Sequence, residues 1–266
     1  MKLKIKLTHF FIWAILCAAS FNLLLRDPFK SIFLGHELPI MAYHNFVDNS
    51  KATDTMNTSV EQFHKDLESI KRQGYTSIFL SDLIAFCEKG ADLPDKPILI
   101  TFDDGYISNY NLAFPILKEF KMKATIFIVG CNVGRKTDVI TGEKLIEHFS
   151  DSQAKEMLNS GLIDIQLHTF NLHRPNFNMV SIRDLMTKDR YAAYIRNDTW
   201  ALAAYISRIG GNANSLAYPY GFYNSQTEKI LKDSGIKATL TSDRGINYIY
   251  KNKKSLYGLK RLFPIK

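Results

Sequence analysis

The segment PILITFDDGY, residues 97–106, is a short apolar run that ends in two carboxylates and a glycine. An apolar run of this length between a proline and a glycine predicts a buried strand. Because burying an unpaired carboxylate is costly, Asp103 and Asp104 are not expected in the core. Side chains alternate along a strand, so one acid can bind a metal ion while the other faces a water on that ion. Gly105 gives the chain a sharp exit, although Asp-Gly is also a common solvated turn.

The sequence around this segment alternates between strand patterns and helix patterns. The strand patterns cover residues 39–43, 75–80, 97–102, 124–129, 163–167, 215–218, 237–241 and 258–263. The helix patterns cover residues 59–74, 81–87, 112–120, 141–160, 181–209 and 224–234. Such alternation predicts an α/β fold with a parallel sheet and helical crossovers. About eight strand segments favour a single distorted (β/α) barrel of seven to eight strands over an open doubly wound sheet.

Polar residues collect where these predicted strands end. In (β/α) barrels the chemistry lies at the C-terminal ends of the strands. The residues at such ends are His44, Asp103, Asp104, His168 and the pair Pro219-Tyr220. Unrelated polar residues would not be expected to collect on one rim, so this rim is the predicted site.

Composition and charge limit the class of protein. The chain has 266 residues and is 46% hydrophobic, which is enough for one large domain with a core. The net charge of +8 is concentrated at the ends, with +4 in residues 1–30 and +6 in residues 251–266, so the middle carries −2. A nucleic-acid binder would instead line one face with basic groups, so we expect no nucleic-acid partner. The basic C-terminal tail is interpreted as solvated, with contact to an anionic envelope or lipid surface as the alternative.

The N-terminus has the pattern of a targeting segment. Three lysines in the first six residues precede an apolar run over residues 7–25, which is typical of an export signal or a membrane anchor. The run is close to the roughly 20 residues that span a bilayer, and the lysines would keep its start in the cytoplasm. We predict a hydrophobic helix over residues 1–25, as an uncleaved anchor in preference to a removed signal peptide. The least favoured alternative is a buried first helix of a cytoplasmic protein.

The rest of the chain is then placed outside the cytoplasm, anchored to the membrane or secreted to the cell surface. We predict a linker over residues 26–37 and one domain over residues 38–266, acting as a monomer.

The three cysteines do not indicate a zinc site, because they form no C-x-x-C pair. Cys17 lies in the apolar N-terminal run. Cys87 and Cys131 could form one disulfide in an exported domain, or remain two separate thiols packed as small apolar groups.

Two imidazoles follow the strand at residues 163–167. His168 and His173 are five residues apart across a predicted strand-to-loop junction. A lone histidine is more often a hydrogen-bonding group than a metal ligand. Two histidines with a spare acid on another strand fit a His₂-carboxylate site for a divalent metal, which leaves coordination positions open.

These motifs resemble those of a known family, the polysaccharide deacetylases, also called the NodB-homology group or carbohydrate esterase family 4. The segment TFDDG at residues 101–105 resembles the first family motif, and residues 168–173 resemble the second. The five-residue spacing of the histidines is similar to that in the branch acting on poly-β-1,6-N-acetylglucosamine, the intercellular adhesin deacetylases. AYPYGFYN at residues 217–224 resembles the third motif, and MAYHNF at residues 41–46 resembles the Tyr-His segment of that branch.

The resemblance implies a role for each motif residue. Asp104, His168 and His173 would hold a divalent metal, usually zinc, and Asp103 would be the general base. Pro219, Tyr220 and Gly221 would line the acetyl pocket, with the Tyr220 backbone N–H helping to bind the oxyanion. In the adhesin branch the histidine of the Tyr-His segment, here His44, would be the general acid. Elsewhere in the family a Leu-x-His motif near the C-terminus has that role, and here no histidine follows His173. The alternative for His44 is a hydrogen-bonding residue at a strand end.

The sequence departs from the family pattern at two points. Many members orient the base with an arginine just before the third motif, but Leu216, Ala217 and Tyr218 stand there. Arg196 or Arg261 could replace it. The tryptophan-bearing fourth motif is also not identified, since Trp200 precedes the third motif. Several aromatic residues could stack on sugar rings or belong to the core: Phe46, Tyr106, Phe170 and Tyr223.

The resulting hypothesis is a metal-dependent N-deacetylase acting on N-acetylglucosamine polymers outside the cytoplasm. The preferred substrate is poly-β-1,6-N-acetylglucosamine, with peptidoglycan or chitin oligomers as alternatives. A different class, an inactive glycan-binding barrel on the envelope, is disfavoured because a binder would not need all four of Asp103, Asp104, His168 and His173. A hydrolase of another amide or ester is the third hypothesis.

Overall fold

The structure, a computed structural model, describes residues 35–48 and 56–264. Its strands in chain order are β1 His36–Leu38, β2 Ile40–Tyr43, β3 Asn45–Val47, β4 Asn57–Ser59, β5 Thr76–Ser77, β6 Pro97–Phe102, β7 Ala124–Ile128, β8 Ile163–Leu167, β9 His173–Arg174, β10 Phe177–Asn178, β11 Ser215–Ala217, β12 Ala238–Arg244, β13 Asn247–Ile249 and β14 Leu259–Arg261. Its α-helices are α1 Val60–Arg72, α2 Leu80–Lys89, α3 Phe114–Phe120, α4 Asp151–Asn159, α5 Lys188–Arg208 and α6 Ser225–Asp233. A π-turn precedes α3 at Asn109–Ala113, and 3₁₀ turns lie at Gly130–Asn132, Ser181–Leu185, Pro219–Gly221 and Lys253–Leu256.

Seven parallel strands form the central sheet, in the spatial order β14-β12-β11-β8-β7-β6-β2. The two edges meet, because Ala42 N donates to Leu262 O at 2.8 Å and Leu262 N donates to Ile40 O at 2.7 Å. The sheet is therefore a nearly closed barrel. The predicted α/β barrel of seven to eight strands is confirmed.

Strand β6 shows why the opening segment of the sequence is so apolar. All six of its residues are buried. Ile98, Ile100 and Phe102 pack in one hydrophobic cluster with the surrounding helices, whereas Leu99 packs in a second cluster. Both faces of the strand are covered, as expected for a parallel sheet inside an α/β fold.

Two predicted elements are shorter than the sequence suggested. The strand predicted over residues 75–80 is reduced to β5, because the chain turns into α2 where Phe79 N donates to the Asp82 carboxylate at 2.9 Å. The helix predicted over residues 141–160 is wrong for its first half, since only Asp151–Asn159 is helical. Upstream of that helix the Asp138 carboxylate accepts the backbone N–H groups of Ile140 and Thr141, and such local bonds compete with helix formation.

The long helix predicted over residues 181–209 is divided in two. A 3₁₀ turn covers Ser181–Leu185, and α5 begins after Thr187, whose hydroxyl accepts the N–H of Arg190. The residue between them, Met186, is extended with φ −141°. The N-cap therefore restarts the helix rather than continuing the turn.

Cys87 and Cys131 are both free thiols, so they do not form the disulfide left open by the sequence. Cys17 and the helix predicted over residues 1–25 lie outside the described residues, as does most of the linker predicted over residues 26–37. Within residues 35–48 and 56–264, none of the helices has both the length and the hydropathy needed to cross a membrane.

Candidate active site

The two acids of the opening segment follow the end of β6 in a turn, and their carboxylates meet different partners. Asp104 has φ 71°, in the left-handed region, and Gly105 follows with φ 83°. The Gly105 N–H donates to Asp103 O at 2.9 Å, which closes a tight turn at the strand end. A non-glycine residue in this region is strained, and such strain is concentrated at functional sites.

Asp104 meets both histidines of the second motif. Its Oδ1 atom lies 3.1 Å from His173 Nε2 and 3.6 Å from His168 Nε2. One potential ligand atom from each of the three residues lies within 4.8 Å of the others. The ends of β6 and β8 and the start of β9 therefore bring together a carboxylate and two imidazoles that lie more than 60 residues further along the chain.

The tautomer of His168 is set by the neighbouring strand. Its Nδ1 atom lies 2.8 Å from the backbone oxygen of Ala217, which can only accept, so Nδ1 is the donor. Burial lowers the pKa of His168 to about 4, which favours the neutral ring. Its Nε2 atom is left with a free lone pair facing Asp104, the arrangement that metal-binding imidazoles adopt.

The donor set fits a divalent transition metal. Asp104 Oδ1 is buried, and among the described residues it has no hydrogen bond of acceptable geometry. Burial opposes ionisation of Asp104, but the neighbouring imidazoles outweigh it and hold the pKa of this carboxyl far below its usual value. A buried, ionised carboxylate oxygen beside two imidazole nitrogens is a donor set that suits zinc and similar ions.

Asp103 is held by a buried arginine from the last strand of the barrel. Arg261 Nη1 donates to Asp103 Oδ1 at 2.8 Å, and Arg261 Nε donates to Thr241 O at 2.8 Å. Burial opposes ionisation of Asp103, but Arg261 with His168 and His44 lowers the pKa of this carboxyl below its usual value. Of the two arginines that the sequence left open, Arg261 contacts Asp103, whereas Arg196 lies within α5.

His44 follows β2 directly and lies on the other side of Asp103. Its Nε2 atom is 3.6 Å from Asp103 Oδ2, so the carboxylate is placed between Arg261 and this imidazole. The Asn109 side chain donates to His44 O at 2.8 Å, and the ring of Phe263 stacks on the imidazole with centroids 6.4 Å apart. These contacts orient His44 towards the strand ends.

The third motif forms a turn beside the three-residue cluster. Tyr220 has φ 57°, and the turn closes with Gly221 N donating to Tyr218 O and Phe222 N donating to Pro219 O. The Tyr220 N–H takes no part in these two bonds. The Tyr220 ring stacks on His173, with ring centroids 4.8 Å apart.

The aromatic residues suggested as sugar-stacking groups separate into two sets. Phe46 is buried in the core, so that suggestion is wrong for Phe46. Tyr223 is 38% exposed and remains available. Phe222, which the sequence did not indicate, is 51% exposed and packs against Tyr220, with ring centroids 5.9 Å apart.

Sequence reasoning missed the roles of two polar residues close to the site: the half-buried Tyr106 was considered only as a sugar-stacking ring, and the buried Asp198 was not indicated at all. Tyr106 contacts the Asp104 carboxylate, and burial together with Asp104 raises the pKa of its hydroxyl. Asp198 is buried on α5, on the same face as Tyr191, Ile195 and Leu202. An acid on the apolar face of a helix is unusual. This position in the helical pattern could have identified Asp198 from the sequence.

Comparison with known proteins places the chain in a family. The family model described as "Polysaccharide deacetylase" matches residues 90–239, which is more than half of the chain. The chain belongs to the polysaccharide deacetylase family. The matched range includes the Asp-Asp segment and both histidines of the second motif, whereas His44 and Arg261 lie outside it.

Individual relatives agree with this assignment. The chain is 26% identical over 209 residues to the Bacillus subtilis protein YxkH, whose name assigns it to the polysaccharide deacetylases; the match covers 79% of the chain and 66% of the relative. It is 27% identical over 192 residues to a poly-beta-1,6-N-acetyl-D-glucosamine N-deacetylase of Staphylococcus aureus, covering 72% of the chain and 63% of the relative. The chain thus spans less than two thirds of the length of each of these curated relatives.

A solved structure gives the same result for the fold. The structure of IcaB from Ammonifex degensii is similar, with a TM-score of 0.71 and 27% sequence identity, over 86% of this chain and 92% of that one.

Proposed function

We propose that this chain is a metal-dependent N-deacetylase that removes acetyl groups from N-acetylglucosamine residues of a polysaccharide, preferably poly-β-1,6-N-acetylglucosamine. The observation that supports this most strongly is the convergence of Asp104, His168 and His173 at one point beside the Asp103–His44 pair. The products would be acetate and a free amine on the sugar.

An amide is a poor electrophile with a poor leaving group, so its hydrolysis needs both activation and proton transfer. Asp104, His168 and His173 would hold the divalent cation, with zinc as the expected metal. When bound, such an ion polarises a carbonyl and lowers the pKa of water, which supplies a nucleophile near neutral pH.

Asp103 is suited to accept a proton from the attacking water. Its Oδ1 atom is occupied by Arg261, which leaves Oδ2 as the atom that takes the proton. Because its pKa lies below the usual carboxyl value, Asp103 is ionised at neutral pH and ready to act as the base.

His44 is suited to protonate the departing nitrogen. Its Nε2 atom faces Asp103 Oδ2 at 3.6 Å, so the acid and the base share one side of the barrel mouth. The Tyr220 backbone N–H, in the turn beside His173, can donate to the developing oxyanion, since its turn does not use it.

The substrate class is supported by the relatives and by the exposed aromatic rings. The Staphylococcus aureus relative is named for poly-beta-1,6-N-acetyl-D-glucosamine, and the exposed rings of Tyr220 and Phe222 beside His173 offer apolar faces for sugar rings. We also propose that the domain works outside the cytoplasm on a membrane anchor, as the N-terminal sequence pattern suggests, and that it acts as a monomer. Protease accessibility on intact cells tests that placement.

The test is acetate release from partly acetylated β-1,6 and β-1,4 glucosamine polymers offered in parallel to the 266-residue chain. We expect release from the β-1,6 polymer, loss of activity with a chelator and recovery with zinc. Release from neither polymer by a zinc-loaded, folded chain would contradict the proposed activity. Faster release from the β-1,4 polymer would move the substrate to the chitin or peptidoglycan type.

A further inference from the structure

The segment between the two imidazoles is strained. Thr169, directly after His168, has φ 72° and is fully buried. A β-branched residue in the left-handed region is an outlier, and it persists only where the surroundings fix it. The contacts of residues 169–172 therefore decide whether His168 and His173 face the same point.

The carbonyl groups of this segment are fixed by the turn that follows β7. Gly130 N donates to Thr169 O at 3.1 Å, and Cys131 N donates to Phe170 O at 2.9 Å. A Cβ atom at Gly130 would lie 2.5 Å from Phe170 Cδ2, so the close approach requires glycine. Leu172 N donates to the Thr169 hydroxyl at 3.2 Å.

Two consecutive backbone N–H groups of the segment, those of Phe170 and Asn171, donate to one side chain. Phe170 N donates to Asp198 Oδ2 at 2.7 Å, and Asn171 N donates to Asp198 Oδ1 at 2.8 Å. Asp198 is only 8% exposed, and within the described part of the chain it forms no ion pair. Burial raises the pKa of this carboxyl to about 6, and the two N–H groups oppose the rise.

We propose that Asp198 is a positioning residue that joins α5 to the segment 169–172 and so holds His168 and His173 in the geometry that binds the metal. This inference rests on the metal site of the proposed function. A buried carboxylate without a cation is costly for folding. The two residues that Asp198 binds, Phe170 and Asn171, lie between the histidines and indicate what the carboxylate is for. Each of the two backbone donors has its own carboxylate oxygen, and in asparagine one of these two positions would be an NH₂ group, which donates.

The test measures the zinc affinity of the Asp198→Asn variant by competition with a chromophoric chelator. The protein used is the 266-residue chain, purified in mild detergent. The substitution keeps the shape but points an NH₂ group at one of the two backbone N–H groups. Loss of an outer contact that orients metal ligands typically costs about 10–100-fold in metal affinity, and we expect a loss in that range. Activity lost at limiting zinc should return at excess zinc.

Asp82→Asn is the matched control. Asp82 also accepts a backbone N–H, that of Phe79 at 2.9 Å, but at the start of α2 and not in the metal-binding segment. We expect it to lower the melting temperature without changing zinc affinity. A similar loss of zinc affinity in both variants would show a general stability effect and overturn the inference.

The outcomes separate the inference from the proposed function. If the wild-type chain binds no zinc, the proposed function fails. If the wild type binds zinc and Asp198→Asn binds it equally well, the positioning role alone fails. If Asp198→Asn does not fold, amide hydrogen exchange in the wild type decides: slow exchange at Phe170 and Asn171 before zinc is added supports the role, and rapid exchange there contradicts it.

Discussion

Replacing Arg261 with methionine should raise the pKa of Asp103, the proposed base, while leaving the metal ligands in place. The Arg261 side chain is 1% exposed and that of Asp103 is 3% exposed, and their charged groups meet at 2.8 Å. Methionine has a similar length and fills the space, but it leaves the Asp103 carboxylate buried without its cation. The neighbouring acceptor Thr241 O also loses its donor.

The magnitude follows from the electrostatics of the pair. Breaking a buried ion pair by removing one partner costs about 3–5 kcal/mol of folding free energy. Arg261 is among the groups that hold the pKa of Asp103 below its usual value, so removing it should raise that pKa. Because the native pKa of Asp103 lies below its unfolded value, the stability from this pair is present above pH ~4 and is lost as the pH falls through the native pKa.

The assay is kcat/KM for deacetylation between pH 3 and pH 9, measured with saturating zinc, so that the range includes the acid limb of the wild type. We expect the acid limb of the Arg261→Met profile to move to higher pH, because a protonated Asp103 cannot accept a proton. Arg208→Met is the control, since Arg208 pairs with Asp151 on the exposed surface at 3.1 Å, and its profile should match the wild type. If Arg261→Met does not fold, Arg261→Lys replaces it in the assay. Lysine keeps the positive charge, so its acid limb should shift less than methionine's would. A folded Arg261→Met chain with an unshifted acid limb would refute this account of the base.

Three further predictions concern individual carboxylates and His44. Asp103→Asn should lower kcat by about 10²–10⁴-fold while metal analysis still finds one zinc per chain; undiminished turnover would assign the base elsewhere. His44→Ala should slow amide cleavage by a similar factor, and a wild-type rate would remove His44 from the mechanism. Burial raises the pKa of Asp164 to about 6, so the unfolded chain loses this proton first as the pH rises. The free energy of unfolding of the wild type, measured with urea, should therefore fall by up to about 3 kcal/mol between pH 4 and pH 7, and that of Asp164→Asn should not show this fall. The same dependence of unfolding free energy on pH in both chains would contradict this.

Local sequence patterns predicted the parts of the fold that depend on local periodicity. Strand β6 and the acids after it follow from an apolar run that ends in Asp103 and Asp104, and β8 likewise leads directly to His168. The helix predicted over residues 141–160 failed in its first half, because the Asp138 carboxylate forms a turn that no periodic pattern shows. Side-chain bonds to the backbone compete with helix formation in a way that hydrophobic spacing does not report.

The missing parts of the site depend on contacts between residues that are distant in the sequence. Arg261 pairs with Asp103 across 158 residues, and closure of the barrel brings β14 beside β2. Asp198 contacts Phe170 and Asn171 from α5, about 28 residues later. Motif spacing identifies groups that act together, but the residues that orient them are supplied by tertiary packing.

The central claim is that Asp104, His168 and His173 bind one cation, and zinc X-ray absorption on the loaded chain tests it most directly. We expect one zinc per chain, with two imidazole nitrogens at about 2.0–2.1 Å and oxygen ligands at about 2.0–2.2 Å, and loss of this signal in His173→Ala. A chain that binds no zinc, or a zinc spectrum without imidazole scattering, would contradict the account.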